Sequence, residues 1–548
     1  MKNKHQSIKP LAFKFSDLFT ADYRLITALL IALPLLIYAQ VWNFEFVWDD
    51  NHGKKLGVGH IFNPFVQEQT WANFIQLFSE PYYRMFIPIT YFLWGLLKAF
   101  SEFLSLPFNS VLHLTNVAVH IINGLLVFTI LKQFVREKWA LLIGVLLFLL
   151  HPIQVEVTAW VGEFRTLLAF AFSLSALYIY LKNQANFSYL SLLLFVLALL
   201  SKPSAVVLVL FIFAFNYFHY GLKLVENIGK TLPFALIALV FVVITSSVQP
   251  ISASHIIAVW QRPFVWLDST IFYLFKIIFP FNLGASYALS PKFISSQWWF
   301  YPLAFLPLGL GYFVWLKRKT QPLLIFAIVL FMAGFFTTSG FVSFNFQQHS
   351  VVADRYLYFS MFGTALLIAV IFSKTNKKLW QGLIISILLV FVALSAFRQI
   401  PIWHNGITLW QHSKNFEVRP TYAHSNLAAQ LYNKGLVMRQ NEKHQQAIDY
   451  FTKAIPYYPK AAKHNLSGAL FNRGLSLLHQ KKYRQALADF DQLVQIQPQN
   501  QDAHDAKIHV LVLLKHCDKA YKAVSFAGKN KVKPQANVLA SIKKTCPK

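Results

Sequence analysis

Phe46-Val47-Trp48-Asp49-Asp50 sets two adjacent carboxylates among aromatic residues just beyond the first long apolar run. Paired acids at a membrane margin suit a general base for a hydroxyl, ligands for a divalent cation, or both. A solvated turn in which Lys54 and Lys55 pair with them is the plainer alternative. His113, Asn116 and His120 recur at i, i+3 and i+7, hence on one helical face. There interhelical hydrogen bonding is the stronger reading and metal binding the weaker. His151-Pro152 closes another apolar run, and Gln154, Glu156, Trp160, Glu163 and Arg165 follow, polar residues of the kind that line water-accessible cavities at span ends. Arg84, Lys202, Arg262 and Arg355 form a further set, with Tyr287, Asp354, Tyr356 and Tyr358. Four such cations suit a phosphate, arginine by bidentate hydrogen bonds and lysine as a point charge. Taken singly, each suits head-group anchoring equally well.

The elements that must position these residues follow from composition. Of 548 residues 56% are hydrophobic and 13% charged, with 54 Phe and 14 Trp, which excludes a soluble globular enzyme and points to a polytopic membrane protein. Apolar runs near 25–42, 111–131, 139–151, 166–181, 187–201, 204–220, 232–248, 298–316, 321–338, 356–373 and 379–397 predict eleven crossings. Lys2, Lys4, Lys9, Lys14 and Arg24 precede the first run and put segment 1–24 in the cytoplasm. The loops holding Lys132, Arg136 and Lys138, then Lys182, then Lys223 and Lys230, then Lys317 to Lys319, then Lys374, Lys377 and Lys378 fall on that same side. Two further stretches, 86–99 and 264–280, would invert the pattern as spans and are expected to be interfacial or re-entrant helices. The four phosphate candidates and the acid pair then all lie outside the cytoplasm. The expected organisation is a membrane domain over 25–400, with a first external loop over 43–110, and a second domain over 401–548 on the non-cytoplasmic side.

The net charge of +28 divides evenly between those domains, since residues 401–548 hold 22 Lys and Arg against 8 Asp and Glu. Gly435, Ala447, Phe451, Ala454 and Pro459 lie at offsets 0, 12, 16, 19 and 24, and Gly474, Ala486, Phe490, Leu493 and Pro498 repeat them. This is the tetratricopeptide pattern, in which small residues let paired helices approach and an aromatic fills the groove. The two units are spaced by 39 residues against the usual 34, which predicts an insertion at a turn or helix end. Ala520 suggests a third unit. An acidic peptide, anionic head groups or an anionic glycan would suit the basic surface. The two cysteines, Cys517 and Cys546, allow either one disulfide or two free thiols.

The order of motifs resembles the transmembrane and tetratricopeptide-repeat family of O-mannosyltransferase-like proteins, within the GT-C glycosyltransferase superfamily. Phe-Val-Trp-Asp-Asp is followed by Tyr83-Arg84 with Pro88, His113-Leu114-Thr115-Asn116 with His120, His151-Pro152 with Glu156 and Trp160, Leu200-Ser201-Lys202-Pro203, Asp354-Arg355-Tyr356-Leu357-Tyr358, and the repeats. The resemblance implies an all-α chain with a polytopic GT-C membrane domain and a repeat α-solenoid. It implies a polyprenyl-phosphate-linked sugar donor, transfer to a protein or envelope-glycan hydroxyl outside the cytoplasm, and inversion by direct displacement. Asp49 or Asp50 would be the general base. Arg355, with Lys202, Arg262 and Arg84 as further candidates, would hold the donor phosphate. His113, Asn116, His120, His151, Glu156, Arg165, Tyr287 and Tyr356 would line the cavity. Participation of a divalent cation is open, with Asp49 and Asp50 as its ligands if one takes part. The repeats would bind the acceptor or a partner, and no nucleic-acid partner is expected. A bacterial inner membrane is the expected setting. Two alternatives remain at this point: a ligase using a polyprenyl-diphosphate oligosaccharide, and a non-catalytic repeat scaffold for envelope assembly.

Overall fold

The computed structural model describes residues 13–50, 59–249, 257–338, 340–341, 344–375, 378–418, 422–458 and 463–547. Lys2, Lys4, Lys9, Lys54, Lys55, Lys377 and Pro459 lie outside the described residues. The chain is all-helical, and among the described residues the only β pairing is an isolated bridge between Tyr82 and Met85. It divides into two compact units, Met1–Val418 and Arg419–Lys548. Residues 401–418, which sequence composition groups with the repeats, thus belong to the first unit, where Trp403 and Trp410 are fully buried.

Each of the eleven apolar runs lies on a helix. Among the described residues five are long and apolar enough to cross a bilayer: Arg24–Asn43, Phe108–Leu131, Val161–Lys182, Leu224–Val248 and Lys378–Ile402. A sixth forms if Lys138–Leu150 and Pro152–Ala159, bent by 46° at His151, count as one span. The others, Tyr189–Ser201, Pro203–Phe218, Phe300–Leu316, Pro322–Thr338 and Met361–Lys374, have 10–17 residues. The stretches expected to be interfacial are the helices Pro88–Phe103 and Arg262–Ile278.

The first loop is built from short capped elements. Asn63 accepts a hydrogen bond from Phe65 N and puts Pro64 in the first helical position, and Thr70 caps Trp71–Ser79. Phe65, Val66, Leu77, Ile87, Tyr91 and Trp94 then pack on Leu112, Val161, Phe164 and Leu168 of the long helices, which seats the loop on the bundle. In the second unit, helix pairs Tyr422–Gln440 with His444–Ala454 and Lys463–His479 with Tyr483–Ile496 form the repeats. A Cβ on Gly435 or Gly474 would stand 2.7 or 2.6 Å from the Phe451 or Phe490 ring, the close approach that the pattern predicts. Gln501–Leu513 and Cys517–Lys529 make a third pair, and Cys517 is disulfide-bonded to Cys546.

Candidate active site

Trp48–Asp50 is a single 3-10 turn that Trp48 enters at φ +55°. The turn divides the two acids. Asp50 is fully buried, accepting from Trp160 Nε1 at 3.1 Å and from Val47 N at 3.3 Å. Gly162 permits this, since a Cβ there would stand 2.8 Å from Asp50 Oδ1. Burial, and then the charge of Asp49, hold the Asp50 carboxyl well above the usual carboxylate range. Asp49 keeps 21% of its side chain exposed and lies 3.5 Å from His60 Nε2.

His60 connects the acids to a cluster of cations. Arg165 Nη1 is 3.2 Å from His60 Nε2, and His60 Nδ1 is 2.6 Å from the Tyr91 hydroxyl. Nε2 thus meets both a guanidinium, which only donates, and the Asp49 carboxylate, which only accepts, so the tautomer of the ring follows which of the two it bonds. Arg165 also donates from Nη2 to Glu163 Oε1 at 3.1 Å, and Lys202 Nζ donates to Glu163 Oε2 at 2.7 Å. Thr166 Oγ1 donates to the same Oε2, and Arg355 Nε lies 3.9 Å from Oε1. Glu163, with no exposed surface, is therefore shared by three cations. Burial pushes the Lys202 ammonium down to about 8 despite that carboxylate.

Arg355 is aimed by a second carboxylate. Its backbone N–H donates to Glu156 Oε2 at 2.9 Å and its Nη1 to Oε1 at 2.6 Å. The turn that carries it, Asp354–Leu357, is anchored at Asp354, which accepts from the Tyr287 hydroxyl at 2.6 Å and from Gly284 N at 3.0 Å. Tyr287 thus acts on Arg355 through Asp354. Trp48 stacks on Trp160 at 4.6 Å, and Trp160 on Trp403 at 6.0 Å, while Trp410 meets Trp48 edge-on at 5.2 Å. The Arg355 guanidinium lies 5.1 Å from the Trp48 ring and 5.0 Å from Tyr356, favourable cation–π positions. Every residue from His151 to Phe170 is buried, so this segment carries Glu156, Glu163 and Arg165 on a fully packed scaffold.

Against His60 sits a strained turn. Tyr82 and Met85 exchange two backbone hydrogen bonds of 2.9 Å, with Tyr83 at φ +49° and Arg84 at φ +61° between them. A two-residue hairpin with both central residues left-handed favours Asn-Gly. Here it displays Tyr83, whose ring is 4.9 Å from His60, and an exposed Arg84, while Met85 Sδ lies 3.0 Å from Arg165 Nη1.

The remaining candidates are placed differently. Asn116 donates to Trp160 O at 2.8 Å, and His120 joins the Tyr358 hydroxyl at 2.8 Å and Leu149 O at 3.0 Å. Both pin helices together. His113 is buried edge-on to Phe44. His151 accepts from Ile153 N and bonds Ile277 O at 2.9 Å, which stabilises the bend before Glu156. Arg262 donates to Phe341 O at 2.8 Å, and among the described residues no contact joins it to the Glu163 cluster. Among the described residues no three His, Cys, Asp or Glu side chains are arranged to hold a metal ion. His60, Tyr91 and Thr166 carry no signal in the sequence, and Glu163 had one: an acid two residues from an arginine at the head of an apolar run.

Over 464 residues the chain is 24% identical to a protein O-mannosyl-transferase of Caenorhabditis elegans. The likeness is to a glycosyltransferase. It takes in 77% of this chain and 62% of the relative, so the chain spans less than two thirds of that protein. A tetratricopeptide repeat is matched over residues 467–500, on the second helix pair. That match begins four residues after the helix start at Lys463, so an extra helical turn holds part of the lengthened spacing. No solved structure matches the chain. The match to a mannosyltransferase and the repeat agree with the resemblance carried by the motifs.

Proposed function

We propose that this chain is an inverting GT-C glycosyltransferase that moves a sugar from a polyprenyl-phosphate-linked donor to a hydroxyl outside the cytoplasm. The observation that carries this is the continuous line of contacts Asp49–His60–Arg165–Glu163–Lys202, which joins a partly buried acid to the buried Arg165 and the partly buried Lys202. Asp49 is the base and Asp50 its buried, protonated neighbour. The acceptor O–H proton goes to the Asp49 carboxylate as the oxygen attacks the anomeric carbon. The bond from that carbon to the phosphate oxygen breaks, its electron pair leaving with polyprenyl phosphate. Lys202, Arg165 and Arg355 carry three positive charges against Glu163, Glu156 and the Asp49 carboxylate; when Asp49 takes the acceptor's proton, one positive charge is left in surplus and offsets the charge developing on the leaving phosphate. The name of the relative supports mannose as the sugar and a protein Ser or Thr as the acceptor. A divalent cation, if one takes part, would use Asp49, since Asp50 is engaged by Trp160 and Val47. The repeats present the acceptor. The basic loops support a cytoplasmic N-terminus and a repeat unit on the opposite side, the periplasmic face of a bacterial inner membrane.

The decisive experiment is transfer from polyprenyl-phosphate mannose to a Ser/Thr peptide by the purified protein, with Asp49→Asn as control. Transfer that persists undiminished in that variant overturns the reading. A reporter fused after residue 548 tests the sidedness and is expected to be active outside the cytoplasm.

A further inference from the structure

The end of the repeat unit carries a charge that the transfer reaction does not use. Residues 515–547 hold eight lysines, no arginine and one acid, Asp518. All eight lysines are exposed, and among the described residues none forms an ion pair. Elsewhere in the same unit basic side chains do find acids: Arg473 pairs with Asp489 and Lys507 with Asp491.

These lysines are gathered by the fold. On the helix Cys517–Lys529, Ala520, Ala523 and Ala527 form the buried stripe. Lys519, Lys522, Phe526 and Lys529 follow at spacings of three, four and three, which puts them on one neighbouring face. Phe526 is 46% exposed in the middle of that row, with Lys507 Nζ 5.9 Å from its ring. The last helix, Ala536–Thr545, bears Lys543 and Lys544 in its final turn. Its end is fastened to the first turn of the lysine helix by the Cys517–Cys546 bond, with Cα atoms 5.4 Å apart, and by the Tyr521 hydroxyl donating to Cys546 O at 2.9 Å. The disulfide therefore holds the end of the last helix, with Lys543 and Lys544, against the first turn of the lysine helix on its Cys517–Tyr521 side, with Lys515 two residues before that turn.

We propose that this lysine face binds the anionic head-group surface of the bilayer. Three features favour lipid over a folded acidic partner. The basic residues are lysines throughout, and point charges on flexible stems suit a fluid array of phosphates, whereas arginine supplies the fixed fork of a defined site. A large aromatic, Phe526, stands exposed among the lysines, where it can enter the head-group region. The unit begins at Arg419, seventeen residues after the apolar helix that ends at Ile402, so the chain holds it at high effective concentration near lipid. Each lysine at an anionic surface strengthens binding by about fivefold, an effect that salt screens. The proposal is independent of the catalytic reading.

The test uses the full-length protein in nanodiscs of phosphatidylcholine alone or mixed with phosphatidylglycerol. Phe526 is replaced by the photocrosslinker p-benzoylphenylalanine, and adducts are identified by mass spectrometry. Lipid adducts are expected to rise about tenfold with phosphatidylglycerol. They should fall back in high salt and in the combined Lys519→Glu, Lys522→Glu and Lys529→Glu variant. A Lys→Gln version at the same three exposed positions, with unchanged thermal unfolding, separates loss of charge from loss of fold. Lipid adducts that ignore lipid charge, or crosslinks to polypeptide in place of lipid, would overturn the proposal, the second in favour of an acidic protein partner.

Discussion

Trp160 donates its indole N–H to Asp50 across 3.1 Å, joining residues 110 positions apart. The bond occupies one of two adjacent acids, while Asp49 keeps 21% of its side chain exposed beside His60, so the pair is asymmetric before any substrate arrives. Asp49→Asn is accordingly expected to lower the transfer rate by about 10²- to 10⁴-fold, the usual worth of a general base. Asp50→Asn retains the acceptor for Trp160 and no charge, and its rate should stay within about tenfold of the parent. Equal losses in the two variants, measured as initial rates of sugar transfer, contradict the assignment of the base.

Lys202 supplies a pH signature. Its ammonium titrates at about 8 in the folded protein, below its ordinary value, because burial disfavours the charge. Donor binding through that charge should weaken as pH rises through about 8, so kcat/KM for the donor falls on the alkaline side. Stability moves the other way: between about 8 and the unfolded value near 10.4 the unfolded chain binds more protons, and Lys202 contributes increasing stability as pH rises. Lys202→Arg keeps its charge throughout and should lose the alkaline limb. A pH profile unchanged in that variant removes Lys202 from donor binding.

Glu163 is bound by Arg165, Lys202 and Thr166 without exposure to water. Glu163→Gln leaves buried cations uncompensated, a loss of about 3–5 kcal/mol. Thermal unfolding should register it, and KM for the donor should rise. Glu163→Asp, which keeps the charge, should recover part of both; no difference between Gln and Asp would mean that the charge is immaterial.

The Tyr82–Met85 hairpin stores strain at Tyr83 and Arg84. Replacing them together by Asn and Gly, the residues that this turn favours, should raise stability by about 1 kcal/mol or more. Transfer should nevertheless decline, because the side chains over His60 and Asp49 are lost. A variant both more stable and fully active would show that the strained pair has no part in the reaction.

Cys517 and Cys546 close a loop with a sequence separation of 29. Serine at both positions is expected to cost about 3 kcal/mol. The transition of the repeat unit in calorimetry should shift down, while that of the first unit stays in place.

Local pattern made the helices and repeats legible. Apolar runs of span length, the offsets from Gly435 to Ala454 and the paired acids are all readable along the chain, because the forces behind them act between near neighbours. Assembly of the site is not local. Arg355 reaches Glu156 across 199 positions, and Lys202 reaches Glu163 across 39. Sequence reasoning therefore groups four cations expected outside the cytoplasm, of which Arg355 and Lys202 meet at Glu163 while Arg262 turns to a backbone carbonyl. His120 illustrates the same limit from the other side: its helical spacing was readable, but whether it faced a cavity or Tyr358 depended on a residue 238 positions away.

The tryptophan stack joins Trp48 and Trp160 to Trp403 and Trp410, the last of them on the final short helix before the repeats. During synthesis the acid pair emerges among the earliest residues, yet the wall behind it and Arg355 arrive hundreds of residues later. A growing chain thus makes its first helices with the candidate site unfinished. On the proposed reading, competence for transfer requires that the segment through Trp410 has left the ribosome and docked.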